Sequence, residues 1–374
     1  MAIDITKMPK LGFGLMRLPE KDGEIDFDTV NTMVDKYLAA GLNYFDTAYI
    51  YHGGRSEVAA RECIVKRHPR DSFYLATKLP AWAMKDESDR DRIFNEQRER
   101  AGVDYFDFYL LHSIEDGSNY ETYERLDCFN WGMRKKAEGQ IKHFGFSFHG
   151  TPALLEKLLD DHPEVEFVQI QLNYSDWDNP IISSGKLYDI LSSRNIPIIV
   201  MEPVKGGTLA DPIPEAVERF SAARPGASAA SWALRFTGSL PGVMTTLSGM
   251  STIGQMEDNL KTFTNFEPLS DKEKAVLTEV RSIMQSTPTI GCTACRYCCD
   301  GCPQSIQIPD IFSLVNTVRV YKEGWRANNI YNSRIAPSAR ASDCIACGQC
   351  EGVCPQHLPI IELLKEASQM FDKQ

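Results

Sequence analysis

The chain has 374 residues, 43% hydrophobic and 24% charged, with a formal net charge of −11. This composition excludes a disordered chain, a coiled coil and a collagen-like fibre, and the acidic balance argues against nucleic acid as a partner. No apolar run approaches the 18 or so residues of a membrane span, and the N-terminal MAIDITKMPK lacks an apolar signal core, so a cytoplasmic protein with no membrane partner is expected.

From residue 11 onward, short apolar runs alternate with helical stretches. The runs are LGFGLM (11–16), NYFDTA (43–48), FYLATK (73–78), DFYLLH (107–112), HFGFSF (143–148), FVQIQL (167–172), PIIVME (197–202) and VMTTLS (243–248). Between them, FDTVNTMVDKYLAAG (27–41) places Val30, Met33, Val34, Tyr37 and Leu38 at helical spacing. TPALLEKLLDD (151–161) opens with a Thr cap and a Pro at the first helical position. Near-continuously apolar strands separated by helices imply a parallel sheet covered on both faces. Eight such units predict an α/β fold of the (β/α)8 TIM-barrel type. A doubly wound open sheet is the alternative, but no G-x-G-x-x-G follows the first run.

Barrel active sites sit at the C-terminal ends of the strands. Asp46 is read as ending the second strand, Tyr51 follows five residues later, Lys78 ends the third and His112 the fourth. Singly, each has a plain structural reading: a cap, a mouth tyrosine, a surface lysine, a hydrogen-bonded histidine. Together they bring an acid, a phenol, an amine and an imidazole to one rim. NYFDTAYIYHGGRSE, YLATKLP and FDFYLLHS resemble the three catalytic segments of the aldo-keto reductase superfamily, a resemblance covering about residues 8–265. It implies reduction of a small carbonyl, or oxidation of the alcohol, by a tetrad of Asp46, Tyr51, Lys78 and His112. Tyr51 would give the proton, its pKa lowered from about 10 by the Lys78 ammonium. Asp46 would keep Lys78 charged, and neutral His112 would orient the carbonyl oxygen.

The resemblance also implies a nicotinamide, NADPH or NADH, extended across the mouth. Ser147 and Gln169 match the pair that fixes its carboxamide, and Gly14 and Met16 fall on the cofactor side of the first strand. MEPVKGG (201–207), with Met201, Pro203, Gly206 and Gly207, and GMSTIGQMEDN (249–259), with Gly249, Gln255 and Asn259, match the segments for pyrophosphate and adenosine. Four positions depart from the family pattern: Phe148 follows Ser147, Met201 stands where a Tyr often stacks, and Gly249 and Gln255 replace a Lys and an Arg that in some members clamp a 2′-phosphate. NADPH and NADH therefore both stand, with a flavin as a minority alternative that no motif indicates. Loop 79–90 and the stretch 113–125 are expected to line the substrate pocket. Trp82, Trp131 and Trp177 are read as aromatic walls or as core.

LSDKEKAVLTEVRSIMQS (269–286) predicts a connecting helix with Ser270 and Glu273 as a capping box, giving a barrel at 1–268, a connection at 269–287 and a second domain at 288–374. A helix of that length suffices to return the chain toward the mouth and bring the second domain near it. Of 11 cysteines, only Cys63 and Cys128 precede residue 292. Cys292, Cys295, Cys298 and Cys302 form C-x2-C-x2-C-x3-C followed by Pro303, and Cys344, Cys347, Cys350 and Cys354 repeat it before Pro355. This is the spacing of bacterial two-cluster ferredoxins, in which the fourth cysteine of each motif ligates the other cluster. One [4Fe–4S] cluster is thus assigned to Cys292, Cys295, Cys298 and Cys354, the other to Cys344, Cys347, Cys350 and Cys302, with Cys299 left over. Zinc knuckles need neither the third cysteine nor the Cys-Pro ending.

The 41 residues between the motifs (303–343) include PDIFSLVNTVRVYKEGW (309–325), which reads as an amphipathic helix, so the domain is expected to be ferredoxin-like but mainly α-helical. Arg319, Lys322, Arg326, Arg334 and Arg340 read as a solvated face, or as a docking patch for an acidic ferredoxin. A nicotinamide delivers two electrons as hydride and a cluster passes one. Three readings follow: clusters wired to an external ferredoxin or flavoprotein partner, a plain carbonyl reductase with structural or redox-sensing clusters, or a non-catalytic electron-transfer subunit.

Overall fold

The computed structural model describes Asp4 and residues 7–372, apart from 116–117, 180–181, 287, 293, 323 and 355. Pro355 of the second cysteine motif and residues 116–117 of the expected pocket stretch lie outside the described residues. The chain divides into two compact units, Met1–Leu277 and Thr278–Gln374.

In the first unit all eight apolar runs become strands: β1 (Leu11–Gly14), β2 (Tyr44–Asp46), β3 (Tyr74–Pro80), β4 (Phe106–Ile114), β5 (Ile141–Phe148), β6 (Phe167–Gln171), β7 (Ile198–Met201) and β8 (Val243–Gly249). They pair in parallel, each with its neighbour in sequence, and β8 closes onto β1. Side chains alternate between the two faces of a strand, and that period explains the site. Tyr44, Ala76, Phe108, Leu110, Phe167 and Leu247 form an inner core. Two residues further along the same faces come Asp46, Lys78, His112, Gln169 and Gly249. The interior is therefore apolar below and polar at the C-terminal rim. The register runs Gly14 beside Asp46, Asp46 beside Ala76, and Lys78 beside Leu110.

The outer faces carry the larger core, which the helices cover. The helix Phe27–Ala39 starts at Asp26, whose side chain accepts from the Thr29 amide, and buries Val30, Met33, Val34 and Tyr37. The helix Pro152–Asp161 is capped by Thr151 accepting from Leu154 N. The helix Asp271–Gln285 opens on the expected box, with Ser270 N donating to Glu273 Oε2 at 2.8 Å and Glu273 N to Ser270 Oγ at 3.3 Å. Gly145 lets β5 approach β6, since a Cβ there would stand 2.3 Å from the Phe167 carbonyl oxygen. Trp131 packs against Phe94 and Tyr109 and is buried core, not pocket wall.

The second unit is helical throughout its described elements: Tyr297–Asp300, Ile308–Tyr321, Gly324–Arg334, Gln349–Gly352 and Ile360–Phe371. Its core joins Ile311, Phe312, Leu314 and Val315 with Tyr331, Leu364 and Phe371, and the rings of Tyr331 and Phe371 stack at 4.8 Å. The single helix expected over 309–325 ends instead at Tyr321. Lys322 takes a left-handed conformation (φ 55°) and its amide returns to Val318 O, closing the helix before a new one begins at Gly324.

Candidate active site and cluster cavities

Asp46 ends β2 beside Ala76, and Lys78 lies two residues beyond Ala76 on the same inward face of β3, so their pairing follows from that register. Lys78 Nζ lies 2.5 Å from Asp46 Oδ1, 2.8 Å from Thr47 O and 3.4 Å from the Tyr51 hydroxyl. Tyr51 reaches this point from the turn after β2. That turn requires left-handed backbone at His52 (φ 50°), Gly53 and Gly54, which explains the glycine pair behind the tyrosine. His52 anchors it, its Nδ1 2.8 Å from Glu20 Oε1 and its Nε2 accepting from Leu18 N. The His112 ring stands edge-on to Tyr51, centroids 6.0 Å apart, and the Trp82 ring lies 5.2 Å from it. Trp82 is 54% exposed and is the one of the three tryptophans found beside this group. Trp177 packs with Tyr188 and Phe236.

Burial sets the protonation states. It pushes the Lys78 ammonium down, but Asp46 and Tyr51 outweigh it, so Lys78 is held above its ordinary value and charged. Burial pushes Asp46 up while Lys78 pulls it back. His112 is held well below the ordinary histidine value by burial and the Lys78 charge, and is neutral. Tyr51 corrects one expectation. Lys78 does pull it down, but burial, aided by Asp46 and Glu202, outweighs that pull and leaves the phenol above its usual value. Tyr51 is therefore held as the acid.

The residues assigned to a nicotinamide fall into two groups. Ser147 and Gln169 are direct partners across β5 and β6. Ser147 Oγ accepts from Ser113 N at 2.7 Å, leaving its proton to donate. Gln169 Oε1 is buried with no partner among the described residues, as is His112 Nδ1. A buried acceptor without a donor is costly, and a carboxamide would satisfy it; the residues fit the group. Met201 lies beside Gln171 at the end of β7, Pro203 is buried after it, and Gly206 and Gly207 are exposed with positive φ (62° and 108°). Gly14 and Gly249 face each other across β1 and β8, and Met16 is exposed. Gln255 Oε1 accepts from Ser251 N, and Asn259 is turned inward to donate to Ser248 Oγ at 2.9 Å.

Sequence reasoning missed four residues around this group. Glu202 acts on Tyr51 electrostatically. Lys205 and Asp176 form a second buried ion pair, with Nζ 2.7 and 2.8 Å from the two carboxylate oxygens. Asn173, Asn179 and Gln171 also donate to Asp176, tying the loop after β7 to the turn after β6. Arg17 lays its stem on Gly249. Only Arg17 had a visible signal, a lone cation just past LGFG. The others emerge from proximity across the barrel.

In the second unit the cysteines surround two cavities. One is lined by Cys302, Cys344, Cys347 and Cys350 with Ile306, Ile308, Ile361 and Leu364. The other is lined by Cys292, Cys295, Cys298 and Cys354 with Ile308, Pro309, Phe312, Leu358 and Ile360. Each holds three thiols from one motif and the fourth from the other, in an otherwise largely apolar shell, which suits a cubane cluster. Ile308 lines both. Burial raises the Cys298 thiol to about 12 and also raises Cys350, so iron must displace these protons on binding.

A sequence model described as the aldo/keto reductase family matches residues 10–282, and one described as a 4Fe-4S dicluster domain matches residues 291–359. The chain is 25% identical over 300 residues to L-galactose dehydrogenase of Arabidopsis thaliana, covering 75% of this chain and 91% of that protein. It is 27% identical over 284 residues to an uncharacterised oxidoreductase of Saccharomyces cerevisiae, covering 72% and 90%. Among solved structures it resembles an aldo/keto reductase from Klebsiella pneumoniae in complex with NADP and acetate (21% identity, TM-score 0.59, 73% of this chain and 92% of that one). A holo aldo-keto reductase from Bacillus halodurans is similar (22%, TM-score 0.58, 72% and 91%). At these identities the structural likeness speaks for the fold. No helix among the described residues is long and apolar enough to cross a membrane.

Proposed function

This chain belongs to the aldo/keto reductase family and carries a C-terminal 4Fe-4S dicluster domain, and from that premise we propose that it interconverts a small carbonyl and its alcohol with NAD(P)H. In this reading Tyr51 is the general acid, and the clusters pass single electrons to or from a ferredoxin or flavoprotein partner. The observation that carries the reading is the Lys78 ammonium held between Asp46 and the Tyr51 hydroxyl on the inner rim. Tyr51 Oη donates its proton to the carbonyl oxygen, and Lys78 stabilises the phenolate left behind. Neutral His112 offers an N–H to the same oxygen. Ser147 and Gln169 would hold the nicotinamide carboxamide, and the loops at Gly206, Gly207 and Gly249 its phosphates. A reduced nicotinamide, when bound, supplies hydride to the carbonyl carbon. For the electron partner, support comes from apolar exposure at the cysteine loops: Ile345 beside Cys344 and Val353 beside Cys354 are open to solvent.

The test is NADPH- or NADH-dependent reduction of an aldehyde panel by the anaerobically reconstituted protein, sugar aldehydes first because a relative is an L-galactose dehydrogenase. Tyr51→Phe should abolish turnover. Unchanged turnover in that variant would overturn the assignment. Reduced ferredoxin should be reoxidised by the holo-protein, and not by Cys295→Ser/Cys347→Ser. Equal reoxidation by both would remove the clusters from the electron path.

A further inference from the structure

We propose that Arg17 is a phosphate-binding residue of the dinucleotide site, supplying the cation that Gly249 and Gln255 lack; the proposal rests on the nicotinamide reading above. Arg17 lies in the short turn Leu15–Arg17 directly after β1. Its stem rests on Gly249: a Cβ built there would meet Arg17 Cβ and Cδ at 3.3 Å. Its Nη2 comes within 3.6 Å of a Cβ built on Gly206, in the loop after β7. The guanidinium therefore spans the ends of β7 and β8, two segments separated from it by about 190 and 230 residues of chain. The turn is held in place, since Ser251 Oγ donates to Arg17 O at 2.7 Å.

Three features make this an anion site. The guanidinium has no hydrogen bond or ion pair among the described residues, so its donors are available. Gly206, Gly207 and Gly249 leave bare backbone around it, and bare backbone permits close approach of a phosphate. The guanidinium fork matches phosphate oxygens in a bidentate manner that an amine does not. Glu202 Oε2 lies 3.7 Å from the same Gly206 Cβ position, so an acid borders the site and makes its affinity depend on the arginine. The anion is either the pyrophosphate shared by both dinucleotides or the 2′-phosphate of NADPH alone.

Arg17→Met in the full-length protein separates these by fluorescence titration with NADPH and NADH, at low and at physiological salt. Loss of a charge-assisted contact should weaken binding about 10-fold or more, with a smaller difference between the proteins at high salt. Equal weakening of both cofactors assigns the pyrophosphate; weakening of NADPH alone assigns the 2′-phosphate. Wild-type affinity for both in the folded variant overturns the proposal while leaving the nicotinamide site intact. Absence of binding by the wild-type protein overturns both readings. Arg17→Lys should recover only part of the loss, because it restores charge without the fork.

Discussion

Replacing Lys78 by methionine removes the one cation from a site where Asp46 is 2% exposed. Contacts of 2.5 Å to Asp46 and 2.8 Å to Thr47 O disappear, and the carboxylate is left buried and unpaired. Breaking a buried pair from one side costs roughly 3–5 kcal/mol, so denaturant midpoints should fall accordingly. Asp46→Asn/Lys78→Met removes both charges and should regain most of that stability. Activity should not follow: both variants lack the ammonium that stabilises the phenolate, and kcat should fall about 10²–10⁴-fold in each. The pH dependence has a definite sign. Lys78 is held above its ordinary value, so the stability it confers is complete below about pH 10.4 and is lost as pH rises through its folded value. In Lys78→Met, Asp46 is pushed up by burial without its partner. The deficit should therefore shrink as pH falls through its raised value and the carboxyl protonates. A Lys78→Met enzyme with wild-type kcat, or a double variant as unstable as the single, would refute the reasoning.

The remaining expectations concern the rest of the site and the scaffold. The pH profile of kcat/KM for carbonyl reduction should show no inflection from His112 near 6.5, because it is held neutral well below that value, and no loss of the Tyr51 acid until beyond pH 10; a histidine limb abolished by His112→Gln would contradict this. Cys302→Ser should lose about half the iron; adding Cys347→Ser should cost little more, whereas adding Cys295→Ser should remove the rest, as read by iron content and EPR, and the opposite pattern would assign the fourth ligands within their own motifs. Lys205→Met should raise the KM for NAD(P)H more than it lowers kcat, since Lys205 holds the loop after β7; a fall in kcat alone would place its role elsewhere. Gly145→Ala should destabilise the barrel by about 1–3 kcal/mol in thermal unfolding, because its Cβ would press on Phe167 O, and an unchanged midpoint would show slack between β5 and β6.

Much of this was legible because period and position carry it. Eight apolar runs separated by helical stretches specify a covered parallel barrel, and the polar residues at or near the ends of several runs mark the rim. Asp46, Lys78 and His112 could therefore be placed by counting. Their degree of burial could not, and burial decides protonation: it reversed the expected direction for Tyr51. Trp131 looked like Trp82 in composition, yet one lies in the core and the other beside His112. The helix over 309–325 had unbroken apolar periodicity, but one left-handed residue, Lys322, divides it. Asp176 with Lys205, and Arg17 with Gly249, are contacts between separate loops; Arg17 is visible as a cation just past LGFG, but no local pattern points to its neighbour.

The shared wall at Ile308 has a consequence for capacity. On the function proposed above, two one-electron clusters held in cavities that share Ile308 would together store two electrons, the number exchanged when one carbonyl becomes one alcohol. A partner exchanging electrons singly would fill or empty that store in two encounters. On that reading the capacity of the second unit equals the two electrons that one hydride carries.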